Sequence, residues 1–130
     1  MLNQVLCVDD DPITLMLYKK VIDKVNYSKE VKTLINGEEA LEYFAYLKNE
    51  RLVTPPELVL LDINMPLMDG WRFLDNYLKM GYNLLFNATK FIVLSSSIDP
   101  NDVDKSKEYP MVIDFISKPI TKDILSNLKL

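Results

Sequence analysis

Short, uninterrupted runs of apolar residues are the feature that most constrains the fold of this chain. Continuous rather than alternating apolarity, rich in Val, Ile and Leu, is typical of parallel strands that helices cover on both faces. The pattern therefore predicts a parallel sheet in the middle of the protein. The runs cover residues 5–8, 58–61, 91–94 and 111–116 (broken by Asp114), with a fifth, weaker candidate at 31–35.

Segments with helical spacing alternate with these predicted strands. They begin at the capping pair Asp11-Pro12, at Asn36, at Asp69, at Asp99-Pro100 and after Pro119, so five helices are expected. We expect the apolar stripes of four of them to pack on the sheet. The stripes are Ile13, Met16, Leu17, Val21 and Ile22; Leu41, Phe44 and Leu47; Trp71, Leu74 and Leu78; and Ile120, Ile124, Leu125 and Leu128.

Five alternations of strand and helix predict an α/β fold with a doubly wound, five-stranded parallel sheet in the order 2-1-3-4-5 and helices on both faces. The sequence contains no repeat, low-complexity tract or linker, so residues 1–130 are expected to form a single domain. In folds of this kind, ligands bind beyond the carboxyl ends of the strands, where the strand order reverses. The residues that follow each strand are therefore the candidates for a functional site.

The amino-acid composition argues against several classes of function. The chain has no His, which excludes His-based acid–base chemistry and His-ligated zinc, and its net charge of −4 argues against a direct nucleic-acid ligand. Cys7 is the only cysteine and is expected to be a small buried hydrophobe. No apolar run is long enough to span a membrane, and the first residues do not resemble a signal peptide. A soluble, cytoplasmic protein is expected.

Polar residues follow the predicted strands at their carboxyl ends. Asp9 and Asp10 follow the first strand, Asp62 the third, Ser95 the fourth and Lys118 the fifth. Three neighbouring carboxylates repel one another unless a cation compensates them. Mg²⁺ prefers oxygen ligands and typically takes one or two carboxylates together with a phosphate. Because a carboxylate can itself become an aspartyl phosphate, the pattern predicts Mg²⁺-dependent phosphoryl transfer.

Four motifs, in chain order, resemble those of one family. They are Val-Asp-Asp-Asp at 8–11, Leu-Asp-Ile-Asn-Met-Pro-Leu-Met-Asp-Gly at 61–70, Val-Leu-Ser-Ser at 93–96 and Phe-Ile-Ser-Lys-Pro at 115–119. Together they are similar to the receiver domain of two-component response regulators, over essentially the whole chain. The resemblance implies the flavodoxin-like receiver fold for residues 1–130, with no output domain.

The resemblance also implies roles for the site residues. Asp62 would be the phosphoacceptor, and Asp9 and Asp10 would hold Mg²⁺, with Asp10 preferred as the direct ligand. Asp62 itself and the backbone carbonyl of Asn64 would complete the metal contacts. Lys118 would pair with Asp62 before phosphorylation and with the phosphate afterwards. Outside this set, Asp11 is interpreted as a helix cap, with an indirect metal role as the alternative.

Two further positions match the family's switch residues, each with a substitution. Ser95 replaces the frequent Thr and preserves its hydroxyl, which would turn toward the phosphoryl group. Phe115 replaces the frequent Tyr, so it can rotate but cannot donate a hydrogen bond from its ring. Asn64 and Ser97 occupy the positions that tune phosphate loss, and the bond from Lys118 to Pro119 is of a kind that is commonly cis in the family.

The leading hypothesis is a signalling module that is not a turnover enzyme. A histidine kinase or histidine phosphotransfer protein would phosphorylate Asp62, and the fourth predicted helix, fifth strand and fifth helix (Ile98 to Leu130) would change conformation. A downstream effector protein would dock on that face, and a homodimer through it is left open. The alternative is a small Mg²⁺-dependent phosphohydrolase with Asp62 as nucleophile, although a second acid and a substrate cap are missing. The third hypothesis is a receiver domain that functions without being phosphorylated.

Overall fold

A five-stranded parallel sheet lies between two layers of helices in the computed structural model, which describes residues 1–50, 52–128 and 130. The strand order is β2-β1-β3-β4-β5, so the predicted fold class is confirmed. In chain order the elements are β1 (Leu2–Val8), α1 (Pro12–Lys24), β2 (Ser28–Leu34), α2 (Gly37–Asn49), β3 (Leu58–Asp62), α3 (Gly70–Lys79), α4 (Tyr82–Leu85), β4 (Lys90–Ser95), α5 (Pro100–Ser106), β5 (Val112–Ser117) and α6 (Lys122–Asn127).

The three central strands are buried on both faces, as their continuous apolar runs predict. Alternate residues of these strands point to opposite faces of the sheet and belong to two hydrophobic clusters. One cluster lies under α2 and α3 and contains Leu61, Phe44 and Phe73, while the other lies under α1 and α6 and contains Leu60 and Cys7. Burial raises the pKa of the Cys7 thiol to about 12, which agrees with its expected structural role.

The structure corrects the predicted inner face of α1. Of the predicted stripe, Val21 and Ile22 pack on the sheet as expected, but Ile13, Met16 and Leu17 are exposed. Leu15 and Tyr18 are buried in their place. Apolar residues occur on both sides of this helix, so spacing alone did not distinguish the side that packs. The buried side of α1 therefore includes a tyrosine, and an aliphatic surface remains in contact with solvent.

Three other elements differ from the expectation. A sixth helix, the single turn α4, follows Gly81, whose positive φ of 74° redirects the chain after α3. Strand β2 begins at Ser28 rather than at residue 31. Strand β5 is an edge strand whose Ile113 and Asp114 are exposed, because β4 is its only partner strand in the part of the chain that the structure describes. The predicted fourth and fifth helices are therefore α5 and α6.

Gly70 brings α3 close to the end of β3. A Cβ atom at this position would lie 2.8 Å from the carbonyl oxygen of Asp62 and 2.8 Å from the Cα of Ile63. The backbone N–H of Gly70 also donates a hydrogen bond of 3.1 Å to the carbonyl of Ile63. A side chain here would push the helix away from the strand end that carries Asp62.

We expect Gly70→Ala to lower the free energy of unfolding by about 1–3 kcal/mol, because the added methyl group would clash with backbone atoms of Asp62 and Ile63. Gly81→Ala is the matched control: its methyl group meets no atom within 4 Å, but its φ of 74° disfavours a side chain by about 1 kcal/mol. Urea denaturation of both variants measures the difference. A smaller loss for Gly70→Ala than for Gly81→Ala would contradict the close-approach argument.

Candidate functional site

Three carboxylates meet at the carboxyl end of the sheet. Oxygen atoms of Asp9, Asp10 and Asp62 lie within 4.8 Å of one another. Their proximity follows from the register of β1 and β3, in which Val8 pairs with Leu61, so the next residues of the two segments, Asp9 and Asp62, lie side by side. The predicted convergence of the acids is therefore confirmed.

The Lys118 ammonium bridges two of these acids. Its Nζ lies 2.8 Å from Asp9 Oδ2 and 3.2 Å from Asp62 Oδ2. The backbone N–H of Lys118 donates a 2.8 Å hydrogen bond to the carbonyl of Ser95, which ties the loop after β5 to the end of β4. The peptide bond from Lys118 to Pro119 is cis. This loop brings the positive charge from the end of the edge strand β5 to the acids at the ends of β1 and β3.

Burial makes the electrostatics of this cluster unusual. Asp62 is only 2% exposed, and this burial raises the pKa of its carboxyl group, as does the negative charge of Asp9 to a smaller extent. The hydrogen bond from the Asn64 amide and the ammonium of Lys118 act in the opposite direction and lower that pKa. Burial also acts to lower the pKa of Lys118, but its hydrogen bonds and charge interactions with Asp9 and Asp62 outweigh burial and raise that pKa. Lys118 therefore stays charged, yet among the described residues three carboxylates face a single ammonium.

The donor set suits a hard divalent cation, because all three acids offer oxygen. Asp9 is fully buried and already engaged: Oδ1 accepts the N–H of Asp11 at 3.0 Å, and Oδ2 contacts Lys118. Asp10 is exposed, and its carboxylate has no hydrogen-bond partner among the described residues. A cation could therefore approach Asp10 from solvent, and it would compensate the excess negative charge.

Ser95 and Asn64 lie next to Asp62, and Phe115 lies further along β5. Ser95, 1% exposed, ends the strand next to Asp62, and its Oγ accepts a 3.3 Å hydrogen bond from the Ser97 N–H. The Asn64 N–H donates to Asp62 Oδ1 at 3.1 Å. Phe115 is half-buried on β5, where it lines a cavity of about 150 Å³ between α5 and β5.

Asp11 lies outside the acidic cluster and caps α1. Its carboxylate accepts hydrogen bonds from the Ile13 N–H at 3.0 Å and from the Thr14 hydroxyl at 2.9 Å. The Thr14 hydroxyl is also the main reason that the pKa of Asp11 is lowered. Both carboxylate oxygens are therefore used within the helix turn, which confirms the interpretation of Asp11 as a cap.

Sequence reasoning missed the apolar surroundings of the site. Ile13 and Leu17 on α1, Leu67 after β3 and Ile98 after β4 are all exposed at this end of the sheet. A cavity of about 410 Å³ runs between Leu17 and Pro119. Surface patches of residues distant in sequence cannot be recognised before the fold brings them together, and the motif at 61–70 that contains Leu67 does not reveal that its side chain is exposed.

The same cavity is lined by Tyr18, another residue that sequence reasoning did not single out. Its hydroxyl is buried and has no hydrogen-bond partner within the described part of the chain. Burial, and then the charge of Asp9, raises the pKa of this hydroxyl far above its usual range. Tyr18 therefore stays neutral beside the acids.

No helix among residues 1–50 and 52–128 is both long and apolar enough to cross a lipid bilayer.

Comparisons with known proteins give a consistent result. A family model described as the response regulator receiver domain matches residues 5–128. The crystal structure of a two-component response regulator from Cytophaga hutchinsonii has a TM-score of 0.85 and 30% identity, covering 97% of this chain and 92% of that one. A two-component response regulator of Arabidopsis thaliana is 30% identical over 125 residues, which is 96% of this chain and 20% of that protein. Protein-glutamate methylesterase/protein-glutamine glutaminase 3 of Geobacter sulfurreducens is 27% identical over 126 residues, which is 95% of this chain and 30% of that protein.

The fold and the acidic cluster define a doubly wound α/β domain with its polar site at the strand ends. The chain belongs to the response regulator receiver family, as a receiver domain of two-component signalling. It spans less than a third of the length of these two relatives, whose whole-protein activities are therefore not transferred to it.

We expect Asp62→Asn to raise the free energy of unfolding at pH 7 in buffer that contains a chelator. The folded chain binds the Asp62 proton more tightly than the unfolded chain does, so the ionised carboxylate destabilises the fold above its folded pKa. Below the ordinary pKa of 3.8 the group is protonated in both states, and the difference between variant and wild type should vanish.

Urea denaturation between pH 7 and pH 3.5 measures this difference. Asp23→Asn is the control, because Asp23 is an exposed acid at the end of α1 and its replacement should change stability by less than about 0.5 kcal/mol. If Asp62→Asn is less stable than wild type at pH 7, the pair with Lys118 outweighs the cost of burial.

Proposed function

We propose that this receiver domain, spanning residues 1–130, accepts a phosphoryl group on Asp62 and signals in the cytoplasm through a change of conformation. The observation that carries the proposal is the Lys118 ammonium held 2.8 Å from Asp9 and 3.2 Å from Asp62, with Asp10 beside them. Such an arrangement offers a nucleophilic carboxylate, a fixed cation and an oxygen-rich metal site within one pocket.

In the proposed reaction an Asp62 carboxylate oxygen attacks the phosphorus of a donor phosphohistidine. The phosphorus–nitrogen bond breaks, an acyl phosphate forms and the imidazole leaves. Lys118 then exchanges its contact with the Asp62 carboxylate for one with the phosphoryl oxygens, and the Ser95 hydroxyl turns toward them. Bound Mg²⁺, held by Asp10, Asp9, Asp62 and the Asn64 carbonyl, would neutralise charge on the phosphoryl group.

The donor in this proposal is a histidine kinase or a histidine phosphotransfer protein. Since Asp62 is almost fully buried, the donor must cover the strand ends to deliver its phosphoryl group. The exposed side chains of Ile13 and Leu17, together with the groove beside Pro119, supply an apolar surface for it.

The output face in this proposal is formed by α5, β5 and α6. Helix α5 buries only Ser106, so few apolar contacts hold it to the sheet. The 150 Å³ cavity beside Phe115 leaves space for its ring to turn inward when Ser95 moves. An effector protein, or a second copy of the chain, would read the altered face.

We expect Mg²⁺ and acetyl phosphate, or beryllofluoride, to add one group to the wild-type chain at Asp62. Mass spectrometry should show one phosphoryl group per chain, and backbone amide signals should shift across Ile98–Leu130. Asp62→Asn should remain unmodified, because its amide is not a nucleophile of this kind. Asp23→Asn makes the same charge change away from the site and should be modified like wild type.

Equal modification of Asp62→Asn and wild type would show that the acceptor is another residue. Catalytic turnover of added phosphomonoesters would instead favour the phosphohydrolase alternative.

We expect Asp10→Asn to weaken Mg²⁺ binding on the order of tenfold or more, because Asp10 is the carboxylate open to solvent at the cluster. Asp11→Asn is the adjacent control and should change the affinity little, since both Asp11 oxygens serve the helix cap. Fluorescence of Trp71, the only tryptophan, reports the titration from the start of α3. Equal losses in both variants would contradict the assignment of Asp10.

A further inference from the structure

Leu67 combines a strained backbone with an exposed aliphatic side chain. Its φ is +67°, in the left-handed region that disfavours residues other than glycine. The N–H of Met68 donates a 2.8 Å hydrogen bond to the carbonyl of Pro66, which closes a three-residue turn centred on Leu67. Turns of this γ type with a positive φ are rare and strained. The Leu67 side chain is nevertheless 73% exposed.

The surrounding structure holds this conformation in place. After Leu67, the Gly70 N–H bonds to the carbonyl of Ile63, and the N–H of Gly37 donates a 3.3 Å hydrogen bond to the carbonyl of Met68. A strained residue persists only where its neighbours over-determine the geometry, and such residues concentrate at functional sites. Here the fixed loop presents a leucine to solvent.

Leu67 does not compensate for this strain by packing. Neither of the two hydrophobic clusters formed by the described residues includes it. Backbone strain lowers the stability of the isolated chain, and the exposed side chain contributes little buried area that would offset this cost. A contact with another molecule would give Leu67 the benefit that the isolated chain lacks.

The position of Leu67 identifies that molecule. Leu67 lies on the loop that leaves the phosphoacceptor strand at Asp62, at the end of the sheet where the acids converge. A protein that delivers a phosphoryl group to the buried Asp62 must cover this end of the sheet, whereas a small phosphodonor need not.

We propose that Leu67 is a specificity-determining contact for the phosphoryl-donor protein, inserting into an apolar recess beside the donor's phosphohistidine. The inference rests on the proposed function of Asp62 and names a contact that selects its partner. Leu67 touches the donor protein rather than the reacting atoms.

The test compares protein and small-molecule donors. Histidine kinases of the source organism that have autophosphorylated with ATP, and phosphotransfer proteins that these kinases have phosphorylated, are first tried on the wild-type chain, and the fastest donor is retained. Acetyl phosphate with Mg²⁺ serves as the small donor. The variants are Leu67→Gln, Leu67→Gly and Leu67→Met, with Leu84→Gln as the matched control, because Leu84 is 77% exposed on α4 at the opposite end of the sheet.

Loss of an apolar hot-spot contact should lower the second-order rate constant of transfer from the protein donor about tenfold in Leu67→Gln and Leu67→Gly. Leu67→Met and Leu84→Gln should transfer at the wild-type rate. Phosphorylation by acetyl phosphate should be unchanged in every variant. Leu67→Gly should also raise Tm, because glycine relieves the positive φ, whereas removal of a residue important for packing would lower it.

Wild-type transfer rates from the protein donor in Leu67→Gln would overturn this inference and leave the proposed function intact. An equal loss with acetyl phosphate would also overturn it, since Leu67 would then act on the site itself. A lower Tm in Leu67→Gly would contradict the strain argument. If the wild-type chain accepts phosphate from acetyl phosphate but from no protein donor, the donor contact is wrong; if it accepts none from either, the proposed function fails as well.

Discussion

The contact of the Lys118 ammonium with the carboxylates of Asp9 and Asp62 is the interaction on which the rest of the site depends. Two carboxylates buried this deeply would otherwise repel each other and take up a proton. The ammonium keeps the pair together, yet with Asp10 alongside it leaves an excess of negative charge. That excess is what a divalent cation and an incoming phosphoryl group could use. The stability of the resting chain and its proposed reactivity therefore depend on the same few atoms.

The hydrophobic sheet determines where this contact can form. Strands β1 and β3 are buried on both faces and are held in register, so the acids at their carboxyl ends cannot separate without disrupting the core. Gly70 lets α3 approach the end of β3 closely enough to fix the loop after Asp62. A rigid base is what positions catalytic groups within small tolerances. The apolar packing beneath the site therefore determines how accurately its polar side chains are positioned.

Around this rigid base, the surface is shaped for other molecules rather than for stability. Ile13, Leu17 and Leu67 are aliphatic and exposed near the acids, and Leu67 adds backbone strain. On the output side, α5 has little apolar contact with the sheet, and Phe115 lies beside unfilled space. Regions that must bind or change shape are drawn from the less stable parts of a protein. A signalling role would require both parts: a packed centre that fixes the acids, and a surface that can bind a partner and change conformation.

Much of this protein follows from local sequence. Uninterrupted apolar runs predict covered strands, and the caps Asp11 and Asn36 mark helix starts. The acids and the lysine at strand ends must converge once the strands are parallel. Only the tertiary structure decided which side of α1 packs, that β5 is a half-exposed edge, and that Leu67 points outward with a positive φ. Helical spacing was satisfied by two faces of α1, and the conformation of Leu67 depends on hydrogen bonds made by Gly37 and Gly70. The hydrogen bond between Gly37 and Met68 joins segments that are distant along the chain, so the motif at 61–70 does not by itself encode the conformation of Leu67.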